Sequence, residues 1–374
     1  MPELLTPEEI EMNLERKRPN RILVGITNYA DTDHLEMLLQ SIRWYTYDNI
    51  EFDLVVCDDG TRAMSFQDAR NRNIDPIALA DKTAEVCKRF GAALIEHEQN
   101  RGIPSAWNTL CNAGNSNTEI IVLLNNDLLM VPDWLKVMVH FLDTNKDNPH
   151  VGSCYFNPHQ PWPKDDMRAI LPLLAHRLPG AIDQVTREPL VSNHPEAHGI
   201  PHLADDEGVG QGLGRVMCPA GCSFAFRKEV YEEVGPFDER LTSFHEESDW
   251  GTRAAAKGRA SFGFPYPRPY HAHGFTFGVS PELRASERMR ASRRLYREIW
   301  NVPQHVPDDK YFNYVNKKLM SQIPPVTLKF LRPNPKVGDP IEHVLPGGEH
   351  NFTPFLEEVE DTYSYSDPCP GQEY

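Results

Sequence analysis

The sequence has no apolar run near the roughly 18 residues that a membrane-spanning helix needs. Its first 20 residues are charged and lack the apolar centre of a signal peptide. Cysteine is sparse and odd in number, seven in 374 residues, and the scattered thiols favour reduced cysteines over a disulfide framework. Lysine and arginine are outnumbered by acids, 38 to 54. These absences predict a cytoplasmic protein without a transmembrane segment, and they disfavour nucleic acid as a partner.

Length and composition predict a sizeable core with irregular flanking regions. The 374 residues are 40% hydrophobic and include 32 prolines, which is enough apolar material for a core together with long loops. Residues 1–20 are interpreted as a polar arm, residues 21–300 carry the regular patterns, and residues 301–374 form a Pro-rich, acidic extension. A stretch at about 157–216, rich in Pro, His and Asp, is interpreted as an insertion or lid.

Short apolar runs alternate with amphipathic segments from residue 21 onward. Strands are predicted at 22–26, 52–57, 93–96 and 120–124, and helices at 31–44, 77–90, 103–113 and from Pro132. This alternation is typical of an α/β fold with a mostly parallel central sheet and helices on both faces. In open sheets of this kind, ligands bind beyond the carboxyl ends of the strands. The residues that follow each strand are therefore the first candidates for a site.

Three polar clusters directly follow predicted strands: Thr27–Tyr29, Asp58–Thr61 and Asn125–Asp127. Each cluster alone could be an ordinary turn, because Asn, Asp and Gly serve turns well. Parallel strands bring their carboxyl ends to one edge of the sheet, so the three clusters are expected to meet there. Carboxylates at such an edge suit a divalent cation that also binds phosphate oxygens, or the hydroxyls of a ribose.

Two other groups of residues could contact a ligand. Asn100, Gly102 and Asn108 surround the start of a predicted helix, although Asn108 could equally be a satisfied polar residue on the helix flank. His271 and His273 form an H-x-H pair that would share one face of a strand and could bind a metal. In a chain with 15 histidines, a chance pair is an equally open interpretation.

Three acidic residues lie close together in Glu246-Glu247-Ser248-Asp249, where another helix is predicted to begin. One of these carboxylates could act as a general base. Acids also favour helix N-termini for electrostatic reasons alone, and Asp249 could pair with Arg253 four residues later. The pairing explains Asp249 well and explains Glu246 and Glu247 less fully.

Taken in order, these clusters resemble the family-2 glycosyltransferases with the GT-A nucleotide-sugar fold, in particular the rhamnosyltransferase-like group. The similarity covers residues 21–300. Its most specific pieces are 123–127 (LLNND) followed by 131–135 (VPDWL), and 235–240 (GPFDER) followed by 246–249 (EESD). The resemblance implies a GT-A nucleotide-diphospho-sugar transferase fold with a long insertion and a C-terminal extension.

The resemblance also implies a role for each candidate residue. The donor sugar nucleotide would be bound by Thr27, Tyr29, Asp58, Asp59, Asn100, Gly102, Asn108, Asn125, Asn126 and Gly221. Asp127 would hold Mn²⁺ or Mg²⁺, with His271 as a further metal or diphosphate contact and His273 as the alternative. The catalytic base would be Glu247, where the family usually has Asp, flanked by Glu246 and Asp249.

The activity implied is an inverting, metal-dependent, hexosyltransferase-like reaction. A sugar would pass from a UDP-, GDP- or dTDP-sugar to a hydroxyl of a glycan or glycoconjugate acceptor, with Glu247 taking the hydroxyl proton and the cation neutralising the leaving diphosphate. A catalytically inactive nucleotide- or glycan-binding module is one alternative. A sugar-1-phosphate nucleotidyltransferase is another, but it would need a Gly-rich, basic loop after the first strand, where this chain has Thr27-Asn28-Tyr29-Ala30.

Overall fold

The computed structural model describes residues 20–46, 50–130, 134–156, 214–242, 244–264, 269–271, 287–307, 310–332 and 355–360. Nearly all of the predicted polar arm and of the predicted insertion therefore lie outside the described residues, as do Pro132 and His273. None of the described helices has both the length and the apolar character that crossing a membrane requires.

Strands and helices alternate along the described chain as the sequence predicts. In chain order they are β1 (Ile22–Asn28), α1 (Thr32–Tyr45), β2 (Asp53–Asp58), a 3₁₀ turn (Thr61–Ala63), α2 (Phe66–Arg72), α3 (Pro76–Phe90), β3 (Ala93–Glu96), α4 (Ile103–Asn112), β4 (Ile120–Asn125), β5 (Leu128–Leu129), α5 (Trp134–Thr144), β6 (Val151–Phe156), β7 (Gly214–Val216), β8 (Ser223–Arg227), α6 (Lys228–Val234), α7 (Glu246–Ala256), β9 (Ala260–Phe264), β10 (Tyr270–His271), α8 (Glu287–Ile299), α9 (Tyr311–Met320), β11 (Thr327–Arg332) and β12 (Phe355–Glu360).

The central sheet has eight strands in the order β3-β2-β1-β4-β8-β6-β9-β7. The first four strands run parallel, and β6 and β9 also pair in parallel. Strand β8 is antiparallel to both β4 and β6, and β7 is antiparallel to β9. Four of the seven neighbouring pairs are therefore parallel, which confirms the predicted mostly parallel sheet.

Helices cover both faces of this sheet, as predicted. On β1 the side chains of Ile22, Val24 and Ile26 join one core cluster, while Leu23 joins the other. Helices α1 and α5 contribute to the first cluster, and α4, α6 and the α7 residues Trp250 and Ala254 to the second. A strand buried on both faces reads as a continuous apolar run rather than an alternating one. That pattern identified β1 and β4 in the sequence.

The described part of the C-terminal extension packs against the main domain. Asn145 at the end of α5 donates from Nδ2 to the carbonyl oxygen of Lys329 at 2.6 Å and accepts from the Lys329 N–H at 3.0 Å. Met320, Ile323 and Leu328 are buried in the same core cluster as β1. The extension therefore continues the core of the preceding domain over these residues.

Candidate functional site

The three polar clusters meet at the carboxyl edge of the parallel strands, as predicted. In register, Asn28 of β1 lies opposite Asp58 of β2, and Thr27 lies opposite Asn125 of β4. The Asn28 amide donates to Asp58 Oδ2 at 2.7 Å, and Asn126 donates to Asn28 Oδ1 at 2.7 Å. One chain of buried hydrogen bonds thus joins the ends of all three strands. The sequence analysis missed Asn28 as the central residue of this chain.

The Asp58 carboxylate accepts three hydrogen bonds from within the protein. Its carboxylate accepts from the N–H and the hydroxyl of Thr61, both at 2.8 Å, as well as from Asn28. Burial raises the pKa of Asp58 above its usual range. These contacts give Asp58 a clear role in shaping the turn after β2, in addition to the donor contact that the resemblance implies.

Asp59 fixes the loop that precedes α4. Its carboxylate accepts from the backbone N–H groups of Arg101 and Gly102 at 2.9 and 2.8 Å, and it lies 2.7 Å from Nδ1 of His97. Gly102 has φ +94°, and a Cβ there would stand 2.9 Å from the Thr242 carbonyl oxygen. The loop therefore needs glycine at this position, and Asp59 holds it in place.

Cys57, His97 and Asp59 form an arrangement that resembles a nucleophilic triad. Cys57 Sγ lies 3.5 Å from His97 Nε2, and the other ring nitrogen faces Asp59. The thiol is fully buried, and burial raises its pKa to about 12. Only the thiolate is an effective nucleophile. The trio is consequently structural.

Asn108 is occupied by contacts within the protein. Its Nδ2 donates to the Phe237 carbonyl oxygen at 3.0 Å and to Glu239 at 3.2 Å. Its Oδ1 accepts from the Phe237 N–H at 2.8 Å and from the Tyr231 hydroxyl at 3.1 Å. The alternative of a satisfied polar residue on the helix flank fits these contacts better than a donor contact does. Asn108 clamps the turn that follows α6.

Asp127 and His271 form a buried ion pair beside the end of β4. Strands β5 and β10 pair so that His271 lies opposite Leu128, and His271 Nε2 is 3.1 Å from Asp127 Oδ1. Burial alone would raise the pKa of Asp127, but His271 outweighs it and the pKa lies below its ordinary value. Burial likewise would lower the pKa of His271, but Asp127 raises it well above the usual range.

The residues around Asp127 suit a divalent cation. The Asn125 Oδ1 atom is buried and has no hydrogen-bond partner among the described residues, so an unpartnered amide oxygen stands two chain positions before the Asp127 carboxylate. These are ligand types that Mn²⁺ and Mg²⁺ accept. In the described ranges, no three His, Cys, Asp or Glu side chains form a complete ligand set. A cation bound here would need oxygens from a phosphate-bearing ligand and from water to complete its shell.

Glu247 packs against the loop that leads into β8. A Cβ added to Gly221 would lie 3.3 Å from Glu247 Cγ, and the next residue, Cys222, accepts from the Asn125 N–H at 2.8 Å. Glu247 is partly exposed, and Ser248 donates to its Oε1 at 3.2 Å. Burial raises the pKa of Glu247 above its ordinary value, which suits a group that must take up a proton.

The other two acids of this helix start have different environments. Asp249 accepts from Arg253 Nε at 2.8 Å and from Trp300 Nε1 at 3.0 Å, so the predicted i,i+4 pair is present and the side chain is structural. Glu246 is buried, and its Oε2 has no partner among the described residues. Burial, followed by the charge of Glu247, raises the pKa of Glu246 well above its usual range. Of the three acids, Glu247 alone is partly exposed beside Gly221.

The remaining candidates lie around the same edge. Thr27 is buried, Tyr29 is half-buried at the exit of β1, and Asn100 is exposed. The sequence analysis missed His34, whose Nδ1 lies 2.8 Å from Asp31 and whose charge helps to lower the pKa of Asp127. Asp31 is the N-cap residue of α1, and the i,i+3 spacing of a capping acid and a histidine was the available signal.

Residues 78–235 match the family model described as glycosyl transferase family 2. The resemblance to this family is confirmed. Together with the mostly parallel sheet and the helices on both faces, the family-2 match also confirms the predicted GT-A fold. The rhamnosyltransferase-like group stays a prediction. The matched segment includes Asn125–Asp127 and Gly221, whereas Asp58, Glu247 and His271 lie outside it.

Several solved structures are similar to this chain. The mannosyltransferase PcManGT from Pyrobaculum calidifontis, in complex with GDP-Man and Mn²⁺, covers 84% of this chain and 79% of its own, with 16% identity and a TM-score of 0.47. TarS from S. aureus covers 80% and 70%, with 12% identity and a TM-score of 0.43. GalNAc-T7 with UDP, GalNAc and Mn²⁺ covers 79% and 50%, with 12% identity and a TM-score of 0.46. No curated protein matches the sequence. At these identities and scores, no ligand or residue role is carried over from the structures.

Proposed function

We propose that this protein is an inverting, metal-dependent glycosyltransferase. It would transfer a sugar from a nucleoside-diphosphate donor to a hydroxyl of a glycan or glycoconjugate. The family-2 match supports the transferase class, and the arrangement of Asn125, Asp127 and Glu247 supports the chemistry.

The cation half of the site would bind the leaving group. Asp127 would supply a carboxylate oxygen and Asn125 its unpartnered Oδ1, with His271 beside them. A bound Mn²⁺ or Mg²⁺ supplies Lewis-acid neutralisation of the charge that develops on a departing diphosphate. The buried hydrogen-bond chain through Asn28 keeps the ends of β1, β2 and β4 in one arrangement, so these oxygens are pre-positioned.

The base half of the site would activate the acceptor. Glu247 is partly exposed, and its pKa is raised by burial, so its carboxylate can take a proton from an attacking hydroxyl and retain it. Direct attack on the anomeric carbon from the side opposite the leaving group inverts the configuration. The buried thiol of Cys57 offers no competing nucleophile.

One observation carries this proposal. The loop residues Gly221 and Cys222 touch both halves of the site, because Gly221 packs on Glu247 and the Cys222 carbonyl accepts from the Asn125 N–H at 2.8 Å. The Cys222 thiol also contacts His271. A metal-assisted group transfer needs a base and a set of cation ligands near each other. Here the proposed base and the proposed cation ligands flank one short loop.

The proposal is tested first by donor binding and then by turnover. A thermal-shift screen of UDP-, GDP- and dTDP-sugars with Mn²⁺ should show one nucleotide class that raises the melting temperature, because a ligand that binds only the folded state stabilises it. Release of nucleoside diphosphate from that donor should then require the cation and be lost in Asp127→Ala. Glu247→Gln should reduce kcat by about 10²–10⁴-fold and leave the thermal shift by the donor unchanged.

Glu85→Gln is the matched control, since Glu85 is an exposed acid on α3 and is not one of the candidate site residues. It should retain the activity of the unmodified protein. Full activity of Glu247→Gln would rule out the proposed base, and cation-independent turnover would rule out the metal role. Donor binding without any turnover across an acceptor panel would favour the inactive binding module instead.

A further inference from the structure

The helix that carries Glu247 begins with an unusual backbone. Phe244 and His245, the two residues before α7, have φ of +66° and +74°. Non-glycine residues in this left-handed region are strained, and such strain persists only where the surroundings hold it. Because these residues immediately precede Glu246 and Glu247, their conformation sets the direction in which the first turn of the helix presents its carboxylates.

Residues from the C-terminal helices hold His245 in this conformation. The buried imidazole has its Nε2 3.0 Å from the Tyr311 hydroxyl. Its ring also packs against Tyr296 and Phe312, with centroids 5.4 and 5.2 Å away. The His245 carbonyl oxygen accepts from the Asp249 N–H at 2.8 Å, which is the first hydrogen bond of α7. The contact with Tyr311 therefore acts at the point where the helix starts.

A second contact fixes the same helix on the other side of Glu247. Trp300, which directly follows α8, donates from Nε1 to Asp249 Oδ1 at 3.0 Å. The other Asp249 oxygen accepts from Arg253, which also donates to the carbonyl oxygens of Val234 and Pro236. Residues 245 and 249 stand two positions before and two positions after Glu247, and each is held by one polar group from the C-terminal region.

We propose that Tyr311 and Trp300 are positioning residues for Glu247, acting through His245 and Asp249. The inference rests on the proposed function, because it assigns these residues to the base of that reaction. It assigns a positioning role to Trp300 and Tyr311, which lie at and just beyond the predicted boundary of the extension. Each side chain restrains the helix turn from which Glu247 projects.

Tyr311→Phe is the sharpest variant, since it removes one hydroxyl and keeps the ring that packs on His245. Catalytic geometry is sensitive to displacements of about 1 Å. We expect kcat to fall about ten-fold, with the donor KM unchanged, and amide hydrogen exchange at residues 246–249 to accelerate. Trp300→Phe should show the same pattern through Asp249. Tyr314→Phe is the matched control on the same helix, because Tyr314 is 48% exposed, and it should change neither measurement.

A double-mutant comparison separates positioning from general loosening of the fold. In a Glu247→Gln background, Tyr311→Phe should not lower the residual turnover further, because residues that act as a unit are not additive. An equal fall in both backgrounds, or a rise in donor KM without a fall in kcat, would overturn the proposal. So would unchanged exchange at residues 246–249 in both Tyr311→Phe and Trp300→Phe.

The exchange measurement needs no substrate, so it tests the restraint even if no donor is turned over. Accelerated exchange in a protein without transferase activity would mean that the proposed function had failed while the restraint on α7 stood. Normal exchange in an active enzyme would mean the reverse. If Tyr311→Phe does not fold, Trp300→Phe decides both points.

Discussion

Gly221 provides the most direct test of how closely Glu247 must be placed. A Cβ at this position would lie 3.3 Å from Glu247 Cγ, 3.4 Å from Cδ and 3.3 Å from Cη2 of Trp107. Trp107 is buried between Phe224 and Phe237, so the carboxylate arm is the neighbour that moves more readily. We therefore predict that Gly221→Ala shifts the Glu247 carboxylate by a few tenths of an ångström.

The expected size of the effect follows from that shift. If a misplacement of 1 Å costs about 10²-fold, and the logarithm of the rate scales with distance, a shift of about 0.3 Å lowers kcat about four-fold. The branched side chain of Gly221→Val extends further and would produce a displacement of about 1 Å, with a loss of about 100-fold. Because the loss comes from the position of the base, kcat should fall more than the donor KM rises.

The assay is steady-state release of nucleoside diphosphate, with melting temperature measured in parallel. Gly91→Ala is the control, a second glycine substitution that should affect stability and not activity. Gly91 follows α3 with φ +70°, and there is open space where its Cβ would lie. We expect Gly91→Ala to lose about 1 kcal/mol of stability through backbone strain with kcat unchanged, and Gly221→Ala to show the opposite pattern. Wild-type kcat in Gly221→Val would refute the reasoning that packing on this loop places Glu247.

Three further predictions concern the buried residues Asn108, Cys57 and His245. Asn108→Asp should destabilise the fold by about 2–4 kcal/mol in urea denaturation, because a carboxylate cannot donate to the Phe237 carbonyl; a raised donor KM at unchanged stability would restore the donor-binding role. Cys57→Ala should keep turnover within about two-fold, since burial raises the pKa of the thiol to about 12; a large loss would contradict its structural role. Burial, helped by the charge of Arg293, lowers the pKa of His245 to about 3. Below about pH 6.5 the unfolded chain protonates this imidazole and the folded chain does not. The free energy of unfolding should therefore be unaffected by His245 above pH 6.5 and should fall by about 1.4 kcal/mol per pH unit below it. His245→Asn, which tolerates the positive φ, should lack this part of the slope between pH 6.5 and 5.

Much of the fold could be predicted from local patterns. The continuous apolar runs of β1 and β4 indicated strands buried on both faces, and the chain order of strands and helices indicated a mostly parallel sheet. The convergence of residues 27–29, 58–61 and 125–127 followed from that topology alone. Helix boundaries were less exact, because the helix predicted at 31–44 spans Thr32–Tyr45 and the helix predicted at 77–90 begins at Pro76.

The roles of individual site residues were not decided in the same way. By itself, the sequence determined the central sheet, the edge of the sheet where polar side chains gather, and which positions there carry carboxylates. These features depend on hydrophobic periodicity, on where the strands end and on residue chemistry. Tertiary structure alone supplied the contacts of Asn108 with Phe237 and Tyr231, the contact of Asp249 with Trp300 and the contact of His271 with Asp127. Hydrogen-bond partners that lie far apart in the chain, such as Asp127 and His271 at 144 positions, are brought together only by packing. Whether a buried polar group is satisfied or left open depends on those partners.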